Sequence, residues 1–233
     1  MPPIFGVKSD VLERSKSSLC FTPFPLRLNM NSLPIEIPPS KGSLVVDWTS
    51  RIRQRGKASL LATEIAMIAG GVLLLSMLAQ LKINIGIVPI TGQSFGILLV
   101  GAALGWDRGL VCVASYLVAG LCGAPVFAAT IGPAAFVAPT GGFLFSFLPA
   151  VALVGYLSDR GWDRKFSTAV WSFLFGHAII FAIGVAWLAV WLQDLPLAVT
   201  KGFLRFLPGM VVKTLVATAL LPMAWQLRER NRN

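Results

Sequence analysis

Apolar residues follow one another in long runs over most of this chain, with neither the alternation of a strand nor the one-sided stripe of a soluble helix. Six runs stand out, at about 58–81, 93–105, 108–122, 141–157, 167–192 and 203–227. Crossing a bilayer as a helix takes about 20 apolar residues, and four of the runs meet that length. The second and third are shorter and flank "GWDRG" at 105–109, which predicts a tight helical hairpin. The pattern predicts an all-α membrane protein with six transmembrane helices over 58–227. Residues 1–57 are Pro-rich, Ser-rich and basic without a sustained apolar run, so a disordered N-terminal extension is expected there. Its stretch "LCFTPFPLRL" is too short and Pro-broken for a signal peptide. A transit peptide, or a translation start at Met30, are the other readings of this extension.

Composition sharpens this picture. Hydrophobic residues make up 55% and charged residues 13%, against about 25% charged in soluble domains. The net charge of +10 sits at the ends of apolar runs, without the aromatic interleaving of an RNA surface, so no nucleic-acid partner is expected. Arg51, Arg53, Arg55, Lys57, Arg108, Arg160, Arg164, Lys165, Arg228, Arg230 and Arg232 fall on one side of a six-span arrangement, against Lys82, Lys201 and Arg205 on the other. Cytoplasmic loops carry the excess of Lys and Arg, so both termini, including the basic tail at 228–233, are expected in the cytoplasm. A plasma (inner) membrane is the expected location, with a plastid membrane the alternative. Cys20, Cys112 and Cys122 are odd in number and read as small hydrophobes, not as a disulfide or metal framework.

Enzymatic chemistry finds no footing in the spans. Glu64 is the only acid well inside a run and His177 the only histidine, so neither a nucleophile with its base nor a metal-ligand set is visible, and no cofactor is expected. His177 reads as a packing residue making one interhelical hydrogen bond. Gly56-Lys57 lacks the upstream glycine of a phosphate loop, so ATP hydrolysis would fall to another subunit.

The loops opposite the basic side are more informative. "INIGIVPITGQSF" (83–95) and "GAPVFAATIGPAAFVAPTGGF" (123–143) are uncharged and rich in Gly and Pro, as lids over a cavity would be. Each ends in a Thr-Gly that opens a helix, a weak internal echo of the kind found in transporters. Three helix N-termini converge on that side, suited to a carboxylate or other anion. Lys213 lies about ten residues into the last run, about 15 Å along a helix, where an ammonium facing lipid costs at least about 2.5–3.5 kcal/mol. It is therefore expected to face the bundle interior, held by a ligand, or else paired with Glu64 or with backbone carbonyls alone, Pro208-Gly209 helping to free some of them. On the first run, Ala58, Ala62, Ala66 and Gly70 recur every fourth residue, a ridge for close approach of another helix, within this chain or in a partner.

Four motifs in order, "VPITGQSFGILLVGAALG" (88–105), "GLCGAPVFA" (120–128), "APTGGFLFSF" (138–147) and "FLPGMVVK" (206–213), together resemble the BioY family. These are the biotin-binding S components of energy-coupling-factor (ECF) vitamin transporters, and the resemblance runs from about 58 to 227. It implies the six-helix S-component fold and capture of biotin beneath the two uncharged loops. The substrate-binding residues would be Thr91, Gly92, Gln93, Phe127, Thr140, Gly141, Met210 and Lys213, the lysine donating to the ureido carbonyl. It also implies a transmembrane coupling subunit with two ATPase subunits, the Ala58–Gly70 ridge docking on the former, or self-association if the protein is solitary. The sequence departs from the family pattern at Ala138, where glycine is usual, and at Met210, where an acid is usual. Gln93 or a backbone carbonyl would then meet the ureido ring in place of that acid. A different small vitamin, or a scaffold role without transport, are the competing functional readings.

Overall fold

The computed structural model describes residues 57–84 and 86–230. The expectations for residues 1–56, for the side chain of Ala58 and for the last three residues of the tail lie outside them. Helix α1 is Lys57–Gln80, α2 Gln93–Leu121, α3 the short Ala134–Val137, α4 Gly141–Asp159, α5 Phe166–Leu192, α6 Leu195–Gly202 and α7 Leu207–Arg230. A 3₁₀ turn over Leu204–Phe206 joins α6 to α7. The two strands, β1 (Lys82–Ile83) and β2 (Ile90–Thr91), pair antiparallel with Lys82 opposite Thr91. Among the described residues, 5 helices are long and apolar enough to cross a membrane.

Helix α2 is two antiparallel arms. Gly105 interrupts it with φ 81° and ψ −177°, a backbone setting closed to most residues. A Cβ on Gly109 would lie 3.2 Å from the Cα of Gly101, and the Gln93 side chain reaches Tyr116 at 2.6 Å. In a straight helix 8 residues span about 12 Å, so the chain has folded back at Gly105. The hairpin is fastened to α4: Asp159 accepts from the Trp106 N–H at 3.1 Å, and the Ser158 hydroxyl donates to Ala102 O at 2.5 Å. At Gly155 the backbones come so close that a Cβ would meet Trp106 at 2.6 Å, which explains why glycine stands there.

Polarity is inverted relative to a water-soluble bundle. Leu61, Leu73, Val111, Trp171, Val190 and Val212 are exposed, whereas Gln93, Ser146, Ser172, His177, Thr214 and Thr218 are buried. Apolar side chains outward and polar ones inward suit a hydrocarbon solvent. The ends of the bundle differ in chemistry. At the hairpin end, Arg108 clasps Glu64 through two hydrogen bonds of 2.6 and 2.7 Å, and the buried Asp163 accepts from the Trp225 indole at 2.6 Å. Burial, partly offset by that bond, pushes the Asp163 carboxyl up to about 6.

At the loop end the connections knit together. Lys82 Nζ donates to Ala128 O at 2.6 Å, and Gln80 Nε2 donates to Pro125 O at 3.3 Å. The stretch between the fifth and sixth apolar runs forms α6, capped by Asp194, whose carboxylate accepts from the Leu197 N–H. That moves the start of the last long helix from 203 to Leu207.

Candidate functional site

Beneath the two uncharged loops lies a cavity with an empty volume of about 700 Å³, its open mouth included. Its rim comes from Val88, Pro89 and Thr91 in the first loop and from Phe127–Thr130 in the second. Its walls come from the start of α2 (Gln93, Ser94), from α4 (Phe143, Leu144, Phe147), from α5 (His177, Ile180, Phe181) and from Met210 and Lys213 of α7. Apolar and aromatic walls with a few convergent polar groups are what holds an amphipathic small molecule in place.

Lys213 is the single cation among those lining residues. Its Nζ donates to Thr91 O at 2.6 Å and to Ser94 Oγ at 3.1 Å. An ammonium has three N–H donors, so these bonds leave one for a ligand. Glu64 is engaged by Arg108 and does not hold it. Of the two acceptors one is a backbone carbonyl, as the carbonyl alternative expected, but it comes from Thr91 and not from Pro208 or Gly209, and the other is the Ser94 hydroxyl. Because α7 begins at Leu207, the lysine sits about 9 Å along the helix. The expected 15 Å counted the α6–α7 junction as helix. Met210 is one turn nearer the mouth, three residues before Lys213, and shares its wall.

Gln93 is buried on the same wall with its amide committed. Nε2 donates to Tyr116 Oη at 2.6 Å, and Oε1 accepts from Thr91 Oγ1 at 3.2 Å. Tyr116 passes the chain on to Val126 O at 2.9 Å, so one network joins the first loop, both arms of α2 and the second loop. Phe127 sits edge-on to Tyr116 and to Phe136, which fixes the second loop over the cavity. Thr140 lines the cavity as well.

Two of the expected binding residues are placed elsewhere. Gly92 is packed on α1, where its N–H donates to Leu78 O at 3.0 Å and a Cβ would sit 2.7 Å from that oxygen. Gly141 is pressed against Phe136 O, 2.0 Å from where its Cβ would be. Both shape the lids and do not line the cavity. Conversely, Ser94 and His177 were not among the expected contacts. His177 bonds within its own helix, Nδ1 lying 3.0 Å from Phe173 O, so the interhelical bond expected of it is absent among the described residues. The spacing of His177, Ile180 and Phe181, at i, i+3 and i+4, is the signal that places all three on one helix face.

On α1, Ala62, Ala66 and Gly70 face outward, and nothing lies within 4 Å of a Cβ built on Gly70. A shallow depression is lined by Ala62, Thr63, Ala66 and Met67. Among the described residues this stretch of the ridge is an exposed face.

The comparisons with known proteins agree with this arrangement. The chain is 35% identical over 143 residues to the biotin transporter BioY of Thermotoga maritima, covering 61% of this chain and 83% of that one. It is 35% identical over 161 residues to the probable biotin transporter BioY of Pyrococcus horikoshii, covering 69% and 93%. A crystal structure of the S-component for biotin from an ECF-type ABC transporter matches with TM-score 0.59 and 26% identity over 72% of this chain and 90% of that chain. The model of the BioY family matches residues 50–230. The chain belongs to the BioY family.

Proposed function

We propose that this chain is the substrate-binding membrane component of a biotin uptake system, binding the vitamin in the cavity beneath the two loops. The observation that carries the reading is Lys213, a lone ammonium held on an otherwise apolar and aromatic wall with a donor to spare. Biotin has a ureido carbonyl to accept that donor and apolar carbons to lie on Phe143, Phe147 and Phe181. Thr91, Gln93, Phe127, Thr140 and Met210 complete the binding wall, with Gly92 and Gly141 setting the lid backbone. The activity is capture and delivery, not catalysis.

The two antiparallel arms of α2, counted separately, support a six-crossing arrangement in which the start of α1 and the end of α7 would lie on the basic side, the cytoplasmic side of a plasma membrane. Biotin would enter from the loop end, and the bonds Lys82–Ala128 and Gln80–Pro125 would hold the lids together over it. Energy would come from an ECF coupling subunit carrying two ATPases, docked on the outward ridge of α1.

Equilibrium binding of radiolabelled biotin to the purified chain tests this, with desthiobiotin and biocytin as competitors. Desthiobiotin, which keeps the ureido ring, should compete well. If neither competes and biotin itself does not bind saturably, the biotin reading fails.

A further inference from the structure

A ligand whose acceptor meets an ammonium can carry donors of its own, and these need acceptors on the cavity wall. His177 is 1% exposed, yet it lines the cavity, together with Ile180 and Phe181 of the same helix face. Its Nδ1 lies 3.0 Å from Phe173 O. A carbonyl oxygen can only accept, so Nδ1 carries the proton and donates, and a neutral imidazole then presents Nε2 as a bare lone pair. That Nε2 is buried without a hydrogen-bond partner among the described residues. Most buried polar atoms are satisfied, so an orphan acceptor on a ligand cavity asks for a donor from the ligand. The ring cannot turn away easily: Phe181 stacks beside it with centroids 6.2 Å apart and planes 23° from parallel.

We infer that His177 Nε2 is a specificity-determining ligand contact that accepts a hydrogen bond from a ureido N–H, while Lys213 donates to the carbonyl of the same ring. The inference rests on the biotin reading above and adds to it a rule for selection. Lys213 can only donate and Nε2 can only accept, so together they match a cyclic urea, which shows an acceptor and a donor side by side. A ligand with the carbonyl but no adjacent N–H would leave Nε2 unmet, and sites built to bond a polar group reject analogues lacking it. Nothing in the sequence motifs of the loops carries this contact. It comes from the middle of α5.

The test uses the full chain in lipid nanodiscs and measures dissociation constants for biotin and for the two mono-N-methyl ureido biotins. His177→Phe keeps the ring and its stack on Phe181 but removes the acceptor, whereas His177→Gln restores an acceptor near the Nε2 position. Biotin affinity should fall at least tenfold in His177→Phe and return to within about threefold of wild type in His177→Gln. Wild type should reject at least one of the N-methyl biotins, and His177→Phe should lose most of that discrimination. Wild-type affinity in His177→Phe overturns the inference, as does an equal loss for biotin and both N-methyl analogues, which would mark a packing role. If His177→Phe does not fold, the wild-type series still decides: equal affinity for biotin and both analogues overturns it. Wild type that binds no biotin at all is a different failure, that of the biotin reading itself.

Discussion

Replacing Lys213 by alanine removes the only cation among the described residues of the cavity wall, and three things with it. The first is the donor to the ligand, a charge-assisted bond contributing about 1.5–3 kcal/mol. At 1.4 kcal/mol per factor of ten, that is a loss of roughly 10- to 150-fold in affinity. The second is the pair of bonds to Thr91 O and Ser94 Oγ, which tie α7 to the base of the first loop. Their loss should loosen that loop and raise the dissociation rate further. The third is the desolvation cost of the ammonium, which disappears, so the empty protein should not be destabilised much. The expected signature is therefore a large drop in biotin affinity with a nearly unchanged unfolding temperature. Lys213→Met separates charge from volume, because it keeps the aliphatic stem and should lose affinity to a similar degree. Tritiated biotin binding to each purified variant, alongside thermal unfolding in the same detergent, measures both sides. Wild-type affinity in Lys213→Ala would show that the lysine serves only to tether Thr91 and Ser94, and the ligand would have to be read by other groups.

Three further outcomes follow from other parts of the molecule. Ala62→Leu or Ala66→Leu should abolish co-purification with an ECF coupling subunit while biotin binding persists, because a large side chain on the outward ridge prevents close helix approach; normal co-purification of both would mean that the partner docks elsewhere. Single cysteines at Pro89 and Thr130, in a background with Cys20, Cys112 and Cys122 replaced, should be shielded from aqueous thiol reagents by saturating biotin, since both line the cavity mouth; unaltered labelling would put the ligand elsewhere. Asp163 binds its proton more tightly folded than unfolded, its carboxyl being pushed up by burial to about 6, so stability should fall as pH rises from about 4 to 6 and stay level above. Asp163→Asn should flatten that slope and stabilise the protein at pH 7 by no more than about 3 kcal/mol, and an unchanged slope in unfolding temperature would show that Asp163 does not titrate in this window.

The chain's hydrophobic pattern carried the fold a long way because lipid leaves little choice: long apolar runs must become helices. The break at "GWDRG" was readable too, since a glycine such as Gly105 adopts φ 81° freely. The junction before α7 was not, because Phe203, Leu204 and Phe206 continue the apolar character of the span that follows, and Leu195–Gly202 has no long apolar run of its own. Only the Asp194-Leu195-Pro196 start, a capping acid just before a first-turn proline, marks it off. For the site, Lys213 could be found from cost alone, a charge where charges are expensive. Gly92 and Gly141 sat inside the right motifs, yet a motif does not say whether a glycine faces the ligand or the neighbouring backbone. That distinction needed the positions of Leu78 O and Phe136 O. His177 was visible as a lone histidine, but whether its second nitrogen is satisfied depends on which helix face packs inward.

Binding stoichiometry of biotin on the purified wild-type chain, free of any other subunit, goes most directly to whether this cavity is the site of capture. One biotin per chain is expected, saturable, displaced by desthiobiotin and weakened roughly 10- to 150-fold in Lys213→Ala. Biotin binding that fails to saturate, or that survives undiminished without Lys213, would contradict it.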